Sequence, residues 1–322
     1  MNKVKKIAFR MGREIRSFFI SFKLNKADKN AFSRIYKEAR SHYEEKVGAY
    51  DFGDFVMPKW RSNMTEMERY FLDGFSFGFL NNRTIRLTMF VYAFGSWKKT
   101  QLEFIVSFFG VERAKRFLRE NDIGRPLLND NRFITSGNTT HHLYHLAKFF
   151  KETGVRPEEV RSVVEVGGGY GNMARLFKQL NPLVTYTILD LPIFSHIQLV
   201  YLKTLLGDKA VNLTEKDNGS IQQDKINLFP LDKSLLADLG QNIRCDLFVS
   251  TWALSESNKK MQSTIRDLDY FKAKHILLAY QKNDENFSYA EDIQRIGDNY
   301  RIIYNKETEY TPNNYYLFAI RR

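Results

Sequence analysis

The sequence predicts an α/β protein: a doubly wound, Rossmann-like sheet of seven strands with a terminal antiparallel hairpin, preceded by a mostly helical N-terminal region. Three observations point to it. The C-terminal half alternates short apolar runs with helical segments, the pattern of parallel strands joined by crossover helices. The first of those runs leads straight into the glycine-rich loop Gly167-Gly168-Gly169-Tyr170-Gly171. Only residues 305–314 separate the last two runs, too few for a crossover, so those runs pair antiparallel.

The strands are expected at 162–166, 185–189, 225–228, 246–250, 275–280, 301–304 and 315–320, with room for one more helix after the fifth. Upstream, Thr153-Gly154-Val155-Arg156-Pro157 punctuates the chain after a helix expected over 141–151. The chain then divides into a basic amphipathic helix (1–26), a helical region (27–154) and the sheet domain (155–322). In the helical region, 27–47 has mixed charge and few breakers. Thr65 with Glu68 three residues on reads as a capping box that opens a helix. The aromatic-rich stretch 70–94 reads as core, with an aromatic-lined acceptor groove as the alternative, and 101–120 reads as one helix ended by the turn residues 121–126.

With 322 residues, 43% of them hydrophobic and 27% charged, the chain can fill a core. No apolar run approaches the ~18 residues needed to span a bilayer, and the basic N-terminus lacks the apolar stretch and cleavage site of a secretory signal. Cys245 is the only cysteine, so a reducing cytoplasm is the expected setting. Beside Asp246, at the head of an apolar run, it reads as a buried structural thiol.

The net charge of +12 favours an anionic partner: nucleic acid, acidic lipid or a phosphate-bearing substrate. Much of the excess lies in the first helix. There Val4, Ile7, Met11, Ile15, Phe18, Phe19 and Phe22 share one side of a helical wheel, and Lys5, Lys6, Arg10, Arg13, Arg16 and Lys23 occupy the rest. Such a helix either packs its apolar side on its own domain or lays it on an anionic membrane, here the inner face of the cell membrane. A nucleic-acid surface is the third arrangement, disfavoured because no RNA-binding module is recognisable.

Residues 165–171 fit E-x-G-x-G-x-G, between a strand and a helix starting near Asn172. Glycines let the main chain turn sharply and approach a ligand, and free N–H groups at the helix start face it. Glu165 ends the first strand beside the loop, placed for the positively charged end of a cofactor. Asp190 ends the second, where an acidic side chain accepts from ribose hydroxyls. Gly169-Tyr170-Gly171-Asn172-Met173-Ala174 also fits the dinucleotide fingerprint G-x-G-x-x-A, and Asp190 would serve a nicotinamide cofactor equally well. Glu165, the terminal hairpin and the lack of a catalytic domain after the sheet favour S-adenosylmethionine instead.

The run 163–171, then Leu189-Asp190-Leu191-Pro192, then Ser250-Thr251-Trp252-Ala253-Leu254-Ser255-Glu256, resemble the sugar O-methyltransferase family. These are bacterial class I S-adenosylmethionine-dependent methyltransferases associated with surface polysaccharide synthesis. The resemblance covers roughly residues 120–322 and none of the N-terminal third. It implies S-adenosylmethionine as cofactor and a sugar hydroxyl as acceptor, in a nucleotide-linked, lipid-linked or nascent glycan such as capsule or O-antigen. Glu165, Gly167, Gly168, Gly169, Tyr170, Gly171, Asp190, Leu191, Phe229 and Ser250 are then the expected cofactor contacts. The triple glycine and Asp-Leu-Pro are also similar to plant-type small-molecule O-methyltransferases, whose general base is a His shortly before a Trp. Here Ser250 and Thr251 precede Trp252, so that base has no counterpart. A small-molecule or RNA acceptor, and an inactive cofactor-binding scaffold, are the alternatives.

Methyl transfer to a hydroxyl is an in-line displacement. Positioning supplies much of the rate, and a base that takes the proton adds about 10²–10⁴-fold. Glu256, just past the fourth strand, is one candidate; His141, His142 and His145, ahead of the sheet domain, are the others. His141 and His145 share a helical face while His142 points elsewhere. An i,i+4 His pair can hold a metal, but without an H-E-x-x-H pattern or nearby acids none is expected. Asn227 and Phe229 are candidates for the adenine ring, while His196, His275 and Asp246 read as structural.

Overall fold

A computed structural model describes residues 3–89, 96–214, 220–282, 296 and 299–322. The N-terminal region comprises α1 (Lys3–Ser21), α2 (Lys29–Lys46), α3 (Pro58–Gly74), α4 (Arg83–Thr88), α5 (Ser96–Phe109) and α6 (Val111–Leu118), followed by a hairpin of β1 (Leu128–Asp130) and β2 (Thr135–Ser136). Two helix ends differ from expectation. Pro58 opens α3, because its fixed φ and missing N–H suit the first helical position. Thr65 therefore lies inside the helix, its hydroxyl bonded back to the Arg61 carbonyl at 3.1 Å. The single helix expected over 101–120 is two helices, since Gly110 adopts a φ of 78° between α5 and α6. The end of the aromatic stretch, 90–94, lies outside the described residues.

Helix α7 (Gly137–Thr153) is capped by Ser136, whose hydroxyl accepts the Thr139 N–H, and ends at the left-handed Gly154. Then follow β3 (Ser162–Val166), α8 (Asn172–Leu180), β4 (Thr185–Asp190), α9 (Pro192–Leu206), β5 (Val211–Leu213), β6 (Ile226–Pro230), α10 (Lys233–Asn242), β7 (Leu247–Thr251), α11 (Lys259–Asp267), β8 (His275–Gln281), β9 (Tyr300–Glu307) and β10 (Asn314–Arg321). They form an eight-stranded sheet in the order β5-β6-β4-β3-β7-β8-β10-β9. Pairing is parallel through β8, and β10 runs antiparallel between β8 and β9. The seven expected strands are present. The eighth, β5, is a three-residue edge strand too short to show an alternation. The helix expected after the fifth strand falls on 283–295, outside the described residues.

Period-two alternation divides the core between the two faces of the sheet. Val163, Ile188, Leu228 and Val249 pack with α7, α8 and α9, and also with α2 and α5 of the N-terminal region. Val164, Leu189, Phe229 and Phe248 pack with α10 and α11 on the other face. A buried ion pair joins α8 to the N-terminal region. Arg175, 2% exposed, faces Glu120 at 3.8 Å and donates to the Arg119 carbonyl, Thr139 and Asn172.

Among its described side chains, helix α1 is held by one side. Ile20 and Leu24 pack on Leu128 and Ile134, whereas Met11, Ile15, Phe18, Phe19 and Phe22 face solvent. The side chains of Val4, Lys5, Lys6, Ile7, Arg10 and Arg13 lie outside the described ones. Among the described residues, no helix is long and apolar enough to cross a membrane.

Candidate active site

The carboxyl ends of β3, β4 and β7 open into a cavity of about 510 Å³ walled by the glycine loop. This is the crevice at the point where strand order reverses, where open α/β sheets bind ligands. Gly167 has a φ of 79°, and a Cβ there would stand 2.0 Å from the Cβ of Ala253 in the turn after β7. Only glycine lets these two loops meet. Gly168, Gly169 and Tyr170 also line the cavity. Gly171 does not: it opens α8 at a φ of 92°, pressed against Leu202.

Two carboxylates face the cavity from adjacent strands. Glu165 is buried and accepts the Tyr186 hydroxyl at 2.9 Å. Burial raises its pKa to about 8; the Tyr186 bond opposes the shift and the Asp190 charge adds to it. Asp190 accepts the Leu191 N–H at 2.9 Å and Gln198 Nε2 at 2.8 Å. Burial raises it to about 7 even so, against those bonds and the N–H groups of Gly168 and Gly169. Leu191 lines the cavity beside it, and the described wall contains no lysine or arginine to offset either charge.

Of the three histidines on α7, only His142 reaches the cavity. Its Nδ1 lies 3.0 Å from Asn172 Nδ2, and the Asn172 carbonyl is already taken by Arg175 Nε at 2.9 Å. The amide orientation is thereby set: Asn172 donates to Nδ1, and the His142 proton resides on Nε2. Burial first, and the Arg175 charge second, push this imidazole down to about 3. His142 is therefore a neutral hydrogen-bond donor, and its free nitrogen carries no lone pair for a base. His141 and His145 are fully buried behind Trp252. The His141 ring stacks on the indole with centroids 5.5 Å apart, and His145 bonds the Tyr316 hydroxyl. Burial holds both well below the usual imidazole range. They support Trp252, which takes a φ of 66° and donates its indole N–H to Asn314.

Glu256 lines the cavity from the turn after β7, its N–H bonded to the Trp252 carbonyl at 2.9 Å and its carboxylate accepting Gln281 Nε2 at 3.4 Å. Ser250 and Phe229 lie beneath the wall. The Ser250 hydroxyl donates to the Val166 carbonyl and accepts the Leu254 N–H, each at 3.1 Å, so it staples two strand ends. Phe229 is in the core with no exposure, and Asn227 is buried among Asn212 and Gln222. Their chain neighbours Thr251 and Leu231 reach the cavity instead. His196, bonded to the Pro192 carbonyl, His275 and Asp246 lie away from it, as does Cys245, whose thiol burial pushes up. Among the described residues, no three His, Cys, Asp or Glu side chains gather as a metal-binding group.

Leu87, Thr88 and Met89, from the stretch 70–94 that reads alternatively as an acceptor groove, line the cavity, whereas the 55–63 roof had no local sequence signal. Phe55, Met57, Trp60 and Asn63 close the cavity from the N-terminal region. Their segment is clamped to the sheet's rim: Asp54 pairs with Lys233 at 2.9 Å and Lys260 at 2.7 Å, and the Asp51 N–H donates to Asp232 at 2.7 Å. Asp51 and Asp232 are 181 residues apart, a juxtaposition that no local spacing encodes.

No protein-family model and no curated protein matches the sequence. Solved structures similar to it include magnesium protoporphyrin IX methyltransferase from Synechocystis, 14% identical, covering 72% of this chain and 100% of that one with a TM-score of 0.41. Mitomycin 7-O-methyltransferase is 12% identical over 57% of each chain, with a TM-score of 0.36. TrmK of M. capricolum, in complex with S-adenosylhomocysteine, is 10% identical over 54% of this chain and 67% of that one, with a TM-score of 0.35. The strand order itself, with β10 antiparallel between β8 and β9, is the methyltransferase form of the Rossmann-like fold.

Proposed function

We propose that this chain is an S-adenosylmethionine-dependent O-methyltransferase acting on a sugar hydroxyl, in a nucleotide-linked, lipid-linked or nascent surface glycan. The observation that carries the donor is the pair Glu165, buried, and Asp190, half-buried: carboxylates on adjacent parallel strands, sharing a cavity whose described wall holds no cationic side chain. The residues fit the cofactor. Glu165 suits its cationic methionyl end, Asp190 stands where acids accept ribose hydroxyls in open α/β sheets, and Leu191 and Leu231 give apolar flanks for the adenine. When bound, S-adenosylmethionine supplies an electrophilic methyl group.

The chain's own residues do the rest. Glu256 accepts the acceptor's hydroxyl proton, with Gln281 orienting its carboxylate, and transfer leaves the demethylated thioether as the cofactor product. His142 offers its Nε2–H to an acceptor oxygen. Trp60 presents a flat apolar ring beside the amide of Asn63, a pairing suited to the apolar face and hydroxyls of a sugar. Incubation with labelled S-adenosylmethionine and capsule or lipopolysaccharide precursors tests this, with label expected in the glycan. Cofactor binding without transfer would overturn the acceptor assignment, and absent binding the donor assignment.

A further inference from the structure

We propose that α1 docks the chain onto an anionic phospholipid bilayer. The proposal stands apart from the reading of the cavity. The helix is tethered by one side: Ser17 accepts the Leu128 N–H at 2.8 Å, Ile20 and Leu24 pack on Leu128 and Ile134, and Arg119 donates to the Lys23 carbonyl at 2.6 Å. On a wheel of about 100° per residue, Ser17 and Ile20 point roughly opposite to Met11, Ile15 and Phe18, with Phe19 alongside the latter, and in the turn after Ser21 Leu24 is buried while Phe22 is exposed. Met11 is 56% exposed, Ile15 55%, Phe18 60%, Phe19 65% and Phe22 67%. These are not scattered surface residues. The Phe18 ring lies 5.0 Å from that of Phe22 and 5.8 Å from that of Phe19, so the aromatic side chains form one patch.

The charge on this segment identifies the occupant. Arg16, Lys23 and Lys26 are exposed beside the stripe. The same segment carries Lys3, Lys5, Lys6, Arg10 and Arg13 in sequence, with Glu14 the only acid before Asp28. A second copy of the chain would set this cationic helix against itself. A nucleic-acid backbone would meet the cations and leave Met11, Ile15 and the phenylalanines in water. An anionic bilayer serves both halves, because acyl burial of the stripe and attraction of the flanking cations add.

The test is co-sedimentation of the full chain with vesicles of phosphatidylcholine alone, or of phosphatidylcholine mixed with phosphatidylglycerol. Binding is expected to the mixed vesicles, weakening as salt rises. Phe19→Ser/Phe22→Ser should reduce it by at least about tenfold, as two aromatic side chains leave the acyl boundary. Both positions are exposed, so the thermal midpoint should hold; if it falls, Phe22→Ser alone is scored on the same vesicles. Equal binding to neutral vesicles, no binding to either, or binding unaltered by the substitutions overturns the proposal. So does a dimer in light scattering that the substitutions dissociate, or salt-sensitive RNA binding without vesicle binding.

Discussion

The buried acid Glu165 makes the ligand-free protein less stable as pH rises, and a single isosteric substitution should relieve it. In the unfolded chain this carboxyl ionises near its ordinary value of 4.5, whereas in the folded protein burial holds it protonated up to about 8. Between those values the folded state binds a proton that the unfolded state has released. Glu165's contribution to stability is therefore fully present below about pH 4.5 and lost progressively as pH rises to about 8. At pH 7 the gap of about 2.5 units, at about 1.4 kcal/mol each, comes to roughly 3 kcal/mol. Asp190, raised to about 7, acts in the same direction. Glu165→Gln keeps the shape and an acceptor for the Tyr186 hydroxyl but cannot ionise. Urea titrations should place the variant roughly 3 kcal/mol above the wild type at pH 7, with the two converging near pH 4.5. Comparing wild type with variant at each pH cancels the titrating groups that do not interact with Glu165; Asp190, whose charge raises the Glu165 pKa, is the exception. A variant no more stable than the wild type at pH 7, or an advantage that does not shrink on acidification, would refute the reasoning.

Three other outcomes follow from the same geometry. A cationic ligand beside Glu165 lowers its pKa, so cofactor binding near pH 7 should release up to about one proton per site, read by calorimetry in buffers of different ionisation enthalpy; a binding heat independent of buffer would contradict this. Glu256→Gln should slow single-turnover methyl transfer by about 10²–10⁴-fold while cofactor affinity changes little. Arg175→Met leaves Glu120 buried without its cation and should cost about 3–5 kcal/mol in chemical denaturation, a loss that an exposed arginine such as Arg113 would not produce.

What could be read from the sequence was what is local along the chain. The strand-end wall of the cavity is written within Glu165 to Gly171 and at Asp190, because a strand end, a turn needing positive φ and a helix start are consecutive in sequence. Its errors are errors of one or two residues. Along an extended segment, adjacent side chains face opposite ways, so Ser250 staples strands while Thr251 is in the wall. Phe229 and Leu231 share a face, but Leu231 lies past the end of β6 and meets the cavity while Phe229 stays in the core. Helical period separated His142 from His141 and His145 correctly. Which of the two faces lines the cavity depended on how α7 docks on the sheet, and the Asn172–Arg175 network then fixed the tautomer that removes His142 from consideration as a base.

The rest of the cavity wall is assembled differently. It draws Trp60 and Asn63 from α3, Thr88 and Met89 from the end of α4, Glu256 from the turn after β7, and Thr311 and Asn314 from the approach to β10. None of these segments has a period or spacing that identifies it, since their relation exists only through long-range clamps such as Asp54 with Lys233 and Lys260. Amphipathic helix α1 is illegible for a related reason. A stripe of Met, Ile and Phe reads identically whether it faces a core or a bilayer, and only the second, narrower face of Ser17, Ile20 and Leu24, once seen packed, shows that the wider stripe is the outward one.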